Sequence, residues 1–281
     1  MDQDQLTAQR EIIDALQVSA QFNVAHDVAH RLAFIAGDLQ ASGQQALVLG
    51  ISGGVDSLVA GRLCQLAVKQ LRASGHRARF IAMRLPYGEQ RDATDAEAAL
   101  AFIRPDEILR IDIQSAVDAT MHSLAEVGMA SVDAHVADYI AGNVRARQRM
   151  IAQYAVANAV GGLVVGTDHA AEAVVGFFTK HGDGACDIAP LNGLTKRRVR
   201  AIAKHLGAPE SMVNKVPTAD LETLRPLHPD EVALGMRYDT IDDFLTRQVI
   251  SPDDATRIIA IYRKTAHKRS GPRTPSIGGR P

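Results

Sequence analysis

The sequence is poor in cysteine and in aromatic residues, and its charges nearly balance. Of its 281 residues only two are cysteine and none is tryptophan, and the formal net charge is −1. Cys64 and Cys186 are too few for a disulfide framework or for a four-ligand zinc site. Because a near-neutral chain has no general attraction to polyanions, we expect no nucleic-acid partner.

Long apolar runs are also missing. None approaches the roughly 20 residues that a bilayer-spanning helix needs. The first residues are acidic and polar, where a signal peptide would be basic. We therefore expect no membrane association and a cytoplasmic location. The hydrophobic content of 46% is that of an ordinary globular protein.

The length is enough for one large domain with a substantial core. We expect a single domain over residues 1–269 and a flexible tail over residues 270–281. Within the domain we expect N-terminal helices over 1–42, an α/β core over 43–206, and a lid with C-terminal helices over 207–269.

A turn of small residues interrupts an apolar stretch early in the chain. Residues 46–51 are mostly apolar, a serine and two glycines follow, and after Asp56 and Ser57 the apolar residues have helical spacing. A strand, a small-residue turn and a helix together aim backbone N–H groups at an anion, typically a phosphate. The alternative is an ordinary tight turn in which Asp56 and Ser57 cap the helix.

Strand and helix patterns alternate along the chain. Apolar runs predict strands over residues 46–51, 78–85, 107–111 and 162–166. The alternation predicts an α/β fold, a Rossmann-like doubly wound parallel sheet flanked by helices. Outside these strands we predict two helices within residues 3–41, further helices over 93–102, 132–160, 197–206, 230–246 and 252–265, and a loop over 216–229 that orders when a ligand binds.

Polar residues follow the fourth predicted strand as well as the first. Thr167 comes directly after the fourth strand, and Glu172 lies five residues further on. Because open α/β sheets bind ligands beyond the carboxyl ends of their strands, Thr167 should lie near residues 52–57. Asp56 and Glu172 would then form the kind of carboxylate pair that holds Mg²⁺. Glu172 could instead be an acid that the dipole of a helix N-terminus favours.

Several arginines lie close together in the long predicted helix. Arg145 and Arg149 are four residues apart and share a helix face, whereas Arg147 is rotated away from them. The pair predicts either a solvated basic surface, or an anion contact or subunit interface.

The hexapeptide at residues 52–57 resembles the SGGxDS pyrophosphate loop of the N-type ATP pyrophosphatases, which cleave ATP between the α- and β-phosphates. Taken together, the motifs along nearly the whole chain resemble those of the ammonia-dependent NAD⁺ synthetases. The matching segments are residues 50–57, 84–88, 143–150, 166–172, 177–184, 193–196, 217–221 and 267–269.

The resemblance implies specific roles at the matching positions. It implies catalytic roles for Asp56 and Lys196, and Mg²⁺ ligands at Asp56 and Glu172. Asp183, in the same loop as Lys180, is our candidate for a third catalytic residue that receives ammonium, because a nearby carboxylate attracts the cation and can accept its proton. The resemblance implies ATP contacts at Gly50, Ile51, Ser52, Gly53, Gly54, Val55, Asp56, Ser57, Arg84, Thr167, Lys196 and Thr218. It implies contacts with the dinucleotide substrate at Arg147, Lys180, Asp187, His267 and Lys268.

The resemblance also implies a reaction and its participants. ATP would adenylate the nicotinate carboxylate of deamido-NAD⁺ with release of pyrophosphate, and ammonia would then displace AMP to give NAD⁺, the last step of NAD⁺ biosynthesis. Mg²⁺ would be the cofactor and ATP a co-substrate. The resemblance further implies a homodimer in which the helix over residues 132–160 packs against its twin.

Two other classes of function remain open at this point. One is another enzyme with the same loop, such as a GMP synthetase-like amidotransferase or a tRNA thiolase. An amidotransferase would need a further glutaminase domain, and a thiolase would need a basic surface and a mobile cysteine, for which Cys186 is a weak candidate. The other is a nucleotide-binding regulatory protein that has lost the chemistry.

Overall fold

The computed structural model describes residues 1–88, 93–129, 133–219, 224 and 228–275. Its main sheet has four parallel strands in the order β3-β2-β1-β4. These strands are β1 (Ala46–Gly50), β2 (Arg79–Arg84), β3 (Glu107–Arg110) and β4 (Gly162–Val164). The predicted α/β fold with a doubly wound parallel sheet is therefore confirmed.

Helices surround the sheet and make up most of the remaining chain. Two precede the first strand, α1 (Gln3–Ala15) and α2 (Val24–Ala41), as predicted. The others are α3 (Val55–Ala73), α4 (Ala93–Ile103), α5 (Gln114–Glu126), α6 (Ala134–Val160), α7 (Ala170–Val175), α8 (Lys196–His205), α9 (Glu210–Val213), α10 (Asp230–Leu234), α11 (Tyr238–Leu245), α12 (Pro252–Lys264) and α13 (Ala266–Arg269). Within the described ranges, no helix is both long and apolar enough to cross a membrane.

Strand β1 is buried on both faces, which accounts for its continuous apolar sequence. Leu47 and Leu49 belong to a core cluster that includes residues of α2, α3 and α8. Ala46 and Val48 point the other way, into a cluster with residues of α5 and α6. A further cluster joins α1, α7, α11 and α12. Successive side chains of a strand point to opposite faces, so one short strand anchors two layers of helices.

The strand order places a topological switch point beside β1. From β1 the chain proceeds outward to β2 and β3, and it then returns to add β4 on the other side of β1. The connections at the carboxyl ends of β1 and β4 therefore diverge and leave a crevice between them. The turn of small residues follows β1, and Thr167 follows β4, at the mouth of this crevice.

The C-terminal third differs from the prediction in two places. The single helix predicted over residues 230–246 is wrong, because Gly235 adopts a φ of +60° and ends α10, and α11 starts only at Tyr238. The predicted loop over residues 216–229 is also not irregular throughout. Its two ends form a small antiparallel sheet, β5 (Thr218–Ala219) and β6 (His228–Pro229), while residues 220–223 and 225–227 lie outside the described residues.

The sequence pattern did not predict two helices near the sheet. Helix α5 follows β3 and covers one face of the sheet through Val117. Helix α7 is only six residues long, from Ala170 to its end before Gly176, which adopts a φ of +63°. Such a short segment carries too few turns for its periodicity to stand out.

Candidate active site

A cavity of about 470 Å³ opens at the carboxyl ends of β1 and β4. It lies where the switch point of the sheet predicts a ligand site. Of the residues that the sequence implicates, those lining the cavity are Gly50, Ile51, Ser52, Gly54, Val55, Asp56, Ser57, Thr167, Glu172, Asp183, Lys196, Thr218 and Lys268. Both polar strand ends therefore face the same cavity, as predicted.

The turn after β1 is shaped by its own two hydroxyl groups. The Ser52 Oγ accepts from the backbone N–H of Gly54 at 3.2 Å, and the Ser57 Oγ donates to the Gly54 carbonyl at 3.1 Å. In the part of the chain that the structure describes, no side chain caps the N-terminus of α3. The first N–H groups of this 19-residue helix therefore have no side-chain acceptor at the cap. The alternative of an ordinary capped turn is wrong for this reason.

Both the backbone conformation at Gly53 and the lack of room for a side chain require glycine at this position. Its φ is +89°, and a Cβ atom added there would lie 2.7 Å from the backbone nitrogen of Ala96. The turn thus packs directly on the N-terminal end of α4. Gly53 supports the shape of the turn without itself lining the cavity.

A buried lysine lies at the centre of the site. The Lys196 side chain is 1% exposed, and its Nζ lies 2.7 Å from Asp56 Oδ2 and 3.8 Å from Glu172 Oε1. The backbone N–H groups of Lys196 and Arg197 donate to the two oxygens of Asp242, which fixes the start of α8. Asp56 at the start of α3 and Lys196 at the start of α8 are thereby brought together from positions 140 residues apart.

The charges in this cluster shift one another's pKa values. Burial alone would raise the pKa of Asp56, but Lys196 and then His169 hold it below its ordinary value. Burial raises the pKa of Glu172 to about 8, although His169 and Lys196 oppose the rise. Burial would lower the pKa of Lys196, but Asp56 and Glu172 keep it above its usual range. Asp56 is therefore the firmly ionised carboxylate, and Lys196 stays charged.

The residues present fit a magnesium ion. Asp56 Oδ1 is buried and has no hydrogen-bond partner among the described residues, and His169 Nε2 lies 3.4 Å from it. Ligand atoms of Asp56, His169 and Glu172 all lie within 4.8 Å of one another. Two carboxylates are a donor set that Mg²⁺ takes up, with phosphate and water oxygens commonly completing its shell.

Asp183 lies in the cavity wall next to a second acid. Its Oδ1 accepts from the backbone N–H of Thr179 at 2.8 Å. Burial raises its pKa despite that hydrogen bond. Burial, and then the charge of Asp183, raise the pKa of Asp168 well above its ordinary value. The proximity of the two acids therefore favours the protonated form of Asp168, and of the two only Asp183 is among the residues that line the cavity.

Most residues expected to contact the dinucleotide are joined by hydrogen bonds, although Arg147, Lys180 and His267 are not among the residues that line the cavity. Arg147 Nε donates to the carbonyl of Lys180 at 3.3 Å, and Lys180 Nζ donates to the carbonyl of His267 at 2.6 Å. Lys268 lines the cavity itself and donates to the carbonyls of Gly176 and Phe178, each at 2.8 Å. The geometry thus gathers segments from three distant parts of the sequence.

Asp187 and Arg84 lie away from the cavity wall. Asp187 Oδ2 accepts from the backbone N–H of Val164 at 2.7 Å, so it completes the edge of β4. Arg84 is the last residue of β2 and is not among the residues that line the cavity. Of the two arginines predicted to share a basic face, Arg145 is buried with its guanidinium carbon 4.2 Å from the centre of the Tyr87 ring. The prediction of a solvated basic surface is therefore wrong at Arg145.

Four residues of the site were not singled out from the sequence. His169 lies two residues after Thr167 in the sequence, and its side chain is wholly buried between Asp56 and Glu172. Tyr238 and Asp230 carried no local signal; their hydroxyl and carboxylate form a 3.2 Å hydrogen bond, and the Tyr238 ring centre lies 4.9 Å from Lys196 Nζ. Lys215, which also lines the cavity, directly precedes the predicted loop over residues 216–229.

The comparison with known proteins agrees with this geometry. The model of the NAD synthase family matches residues 27–272. The chain belongs to the NAD synthase family. It is an enzyme, a carbon–nitrogen ligase, and the family match favours this function over a GMP synthetase-like amidotransferase, a tRNA thiolase or a regulatory protein without activity.

Individual members of the family are similar over nearly the whole chain. A protein from Streptomyces coelicolor, named NH(3)-dependent NAD(+) synthetase, is 57% identical over 270 residues, which is 96% of this chain and 98% of that protein. The crystal structure of NAD+ synthetase from Burkholderia pseudomallei has a TM-score of 0.84 at 52% identity and covers 97% of this chain and 99% of its own. The structure of NMN synthetase from Francisella tularensis has a TM-score of 0.78 at 33% identity, over 92% and 100% of the two chains.

Proposed function

We propose that this chain converts deamido-NAD⁺, ATP and ammonia to NAD⁺, AMP and pyrophosphate, with Mg²⁺ as cofactor and an acyl-adenylate as intermediate. The observation that carries the proposal is the uncapped N-terminus of α3 facing Asp56, Glu172 and Lys196 in one cavity. An anion-binding turn beside a metal-binding pair is what a reaction with a pyrophosphate leaving group requires. The high identity to NH(3)-dependent NAD(+) synthetases supports the choice of substrates.

In the first step an oxygen of the nicotinate carboxylate attacks the α-phosphorus of ATP, and the bond to the β-phosphate oxygen breaks. The leaving pyrophosphate carries negative charge, which the N–H groups at the start of α3 and the ammonium of Lys196 stabilise. Asp56 and Glu172 would hold Mg²⁺, which neutralises phosphate charge when it is bound. Because the substrate supplies the nucleophile, the chain needs no covalent catalytic residue, and positioning with electrostatics suffices.

In the second step ammonia attacks the acyl carbon, and AMP departs with one oxygen of the former carboxylate. Ammonium must first lose a proton, and Asp183 can attract the cation and accept that proton. The raised pKa of Asp183 makes it a stronger base than an exposed carboxylate. The raised pKa of Asp168 favours its neutral form, so Asp183, which lines the cavity, is the acid of the pair that would meet the ammonium.

The remaining predicted residues complete the proposal. We propose that ATP contacts four residues of the cavity wall, Gly50, Ser52, Thr167 and Thr218. Arg84 does not line the cavity, and its contact with ATP stays a prediction. The chain of contacts from Arg147 through Lys180 to His267, with Lys268 and Asp187, would recognise the dinucleotide. We further propose a homodimer formed through α6, and the cytoplasmic location stays a prediction.

A mononucleotide is the second candidate substrate. The chain has a fold similar to that of an NMN synthetase from Francisella tularensis, whose product is a mononucleotide. The 57% identity to an NH(3)-dependent NAD(+) synthetase favours the dinucleotide. Both substrates share the nicotinate carboxylate, so the chemistry at Asp56 and Lys196 would be the same.

One assay tests the proposal and separates the two substrates. The pure chain is incubated with ATP, Mg²⁺ and ammonium, and with either deamido-NAD⁺ or nicotinate mononucleotide. We expect NAD⁺ and AMP in equal amounts from the dinucleotide, and slower amidation of the mononucleotide. Faster turnover of the mononucleotide would overturn the choice of substrate, and release of ADP in place of AMP would overturn the adenylation.

A further inference from the structure

Lys215 links the phosphate-binding turn to the segment that leads into β5. Its Nζ lies 2.7 Å from Asp95 Oδ2, in the first turn of α4, and donates to the Gly53 carbonyl at 3.3 Å. Lys215 also lines the cavity, together with Val216, Pro217 and Thr218 that follow it. A second lysine is thus placed beside the turn, in addition to the buried Lys196.

The two lysines differ in how tightly their charges are held. Lys196 is 1% exposed and faces Asp56, Glu172 and Asp230, so its charge is already balanced inside the protein. The Lys215 side chain is 24% exposed, and its partner Asp95 is 52% exposed. Ion pairs between exposed groups are weak, because water and salt screen them. Lys215 can therefore exchange its partner at low cost, whereas Lys196 cannot.

We propose that Lys215 is a second phosphate-binding cation, which leaves Asp95 and binds the phosphate oxygens of ATP when the nucleotide occupies the turn. Its ammonium already contacts the backbone of Gly53, the residue before the N-cap Gly54 of α3, where the proposed function places the phosphates. A phosphate oxygen with its full negative charge is a stronger partner than a half-exposed carboxylate. Asp95 then acts as a competitor that holds the lysine while the cavity is empty. The inference rests on the proposed function for the identity of its ligand.

A purely structural role for Lys215 makes a different prediction. If the lysine only ties the lid segment to α4, removal of either partner of the ion pair loosens the same tie. Lys215→Met and Asp95→Asn would then weaken nucleotide binding alike. If Lys215 binds phosphate, the two variants act in opposite directions, because Asp95→Asn removes the competitor.

Calorimetric titration of the full chain with ATP, with inorganic pyrophosphate and with AMP, each with Mg²⁺, distinguishes these roles. We expect Lys215→Met to raise the Kd of ATP and of pyrophosphate about tenfold, as the loss of one charge-assisted hydrogen bond would. We expect the Kd of AMP to change little in this variant. Asp95→Asn should lower the Kd of ATP, and Lys215→Arg should retain most of the wild-type affinity. Lys69→Met, at an exposed position on α3, is the matched control.

Unchanged binding of pyrophosphate by Lys215→Met would overturn the inference, and so would equal weakening by Lys215→Met and Asp95→Asn. Thermal melts of each variant show whether a loss of affinity reflects a loss of fold. The titrations do not depend on turnover. A wild-type chain that binds ATP but forms no NAD⁺ would therefore contradict the proposed function, while the test of Lys215 would still be decided.

Discussion

At the scale of single residues, the pairing of Lys196 with Asp56 is the central contact of the site. Each charge would be costly to bury alone, and the 2.7 Å contact between them offsets part of that cost. The pair is also poised for function, because Asp56 Oδ1 remains buried without a hydrogen-bond partner among the described residues. A strongly shifted, incompletely satisfied group of this kind is typical of a functional site.

The substitution Asp56→Asn tests this residue. It preserves the shape of the side chain and removes the charge that holds both Lys196 and a cation. We expect AMP formation to fall about 100-fold or more, as is usual when an electrostatic contributor to a transition state is lost. Quenched-flow measurement of AMP and a thermal melt check the result. Unchanged turnover in a folded variant would remove Asp56 from the catalytic site, and Asp253→Asn, exposed on α12, is the control.

Asp183 can be tested separately from the adenylation step. Exchange of labelled pyrophosphate into ATP with deamido-NAD⁺ present, but without ammonium, reports the first step alone. We expect Asp183→Asn to leave this exchange nearly unchanged and to lower kcat/KM for ammonium about tenfold or more, because general bases contribute at least that much. Equal losses in both assays would assign Asp183 a structural role.

Individual residues also show what the sequence could predict and what it could not. Asp56 follows the first predicted strand, and Thr167 and Glu172 follow the fourth. Because the carboxyl ends of parallel strands share one edge of a sheet, the proximity of these residues was predictable. Tyr238 and Asp230 reach the same cluster from α11 and α10, which pack there through long-range contacts that leave no local pattern. Burial of Arg145 against Tyr87 likewise depends on packing that periodicity does not reveal.

At the scale of elements, the carboxylate of Asp106 links α3, β2 and the start of β3 by hydrogen bonds and an ion pair. Asp106, just before β3, pairs with Arg72 of α3 at 2.7 Å and accepts from Gln65 of α3 at 3.1 Å. It also accepts from the backbone N–H of Phe80 in β2 at 2.9 Å. Burial would raise the pKa of Asp106, but Arg72, the Phe80 N–H and Gln65 together hold it below its ordinary value.

This shift predicts how Asp106 contributes to stability as the pH changes. A carboxyl whose pKa is lower in the folded chain stabilises above its unfolded pKa of about 4, and the contribution is lost as the pH falls through the folded value. We expect Asp106→Asn to lower the free energy of unfolding by about 1–2 kcal/mol at pH 7, a range reduced because Arg72 is partly exposed.

Denaturant unfolding at pH 7 and at pH 3 checks this prediction. The difference between Asp106→Asn and the wild type should shrink at the lower pH, where the wild-type carboxyl is taking up a proton. Glu97→Gln, exposed on α4, is the control. A difference that stays constant, or grows as the pH falls, would contradict the assignment of the stabilisation to the ionised carboxylate.

The order of the elements was largely predictable, because buried strands and long helices carry strong periodic signals. Strand β1 and helix α6 were predicted nearly to their ends. Breaks that depend on one backbone angle were not predictable, as Gly235 at the end of α10 shows. The pairing of β5 with β6 was missed for a similar reason, since two residues on each side are too short to form a pattern.

At the scale of the whole molecule, α6 is the element through which the proposed homodimer would form. It lines the cavity with Asn143, Ala146 and Arg149 and also leaves apolar side chains exposed. Ile151 on this helix is 51% exposed. An apolar surface next to the site is what a subunit interface requires. The single domain over residues 1–269 stays a prediction alongside the dimer.

Light scattering after size exclusion tests the dimer. We expect twice the monomer mass of 30.2 kDa. Ile151→Glu should shift the mass toward the monomer, because a charge at an apolar interface is costly to bury. Val249→Glu, at a fully exposed position outside α6, should leave the dimer intact. A wild-type chain with the monomer mass at assay concentrations would contradict the proposal.

The most direct test of the adenylation itself follows oxygen atoms. The substrate is deamido-NAD⁺ that carries oxygen-18 in both oxygens of its nicotinate carboxylate. The wild-type chain converts it with ATP, Mg²⁺ and ammonium, and mass spectrometry measures the label in each product. Attack of the carboxylate on the α-phosphorus predicts one labelled oxygen in every AMP, one in the amide of NAD⁺ and none in pyrophosphate. Unlabelled AMP, or label in pyrophosphate or phosphate, would show that the bond to the α-phosphorus is not the one this site activates.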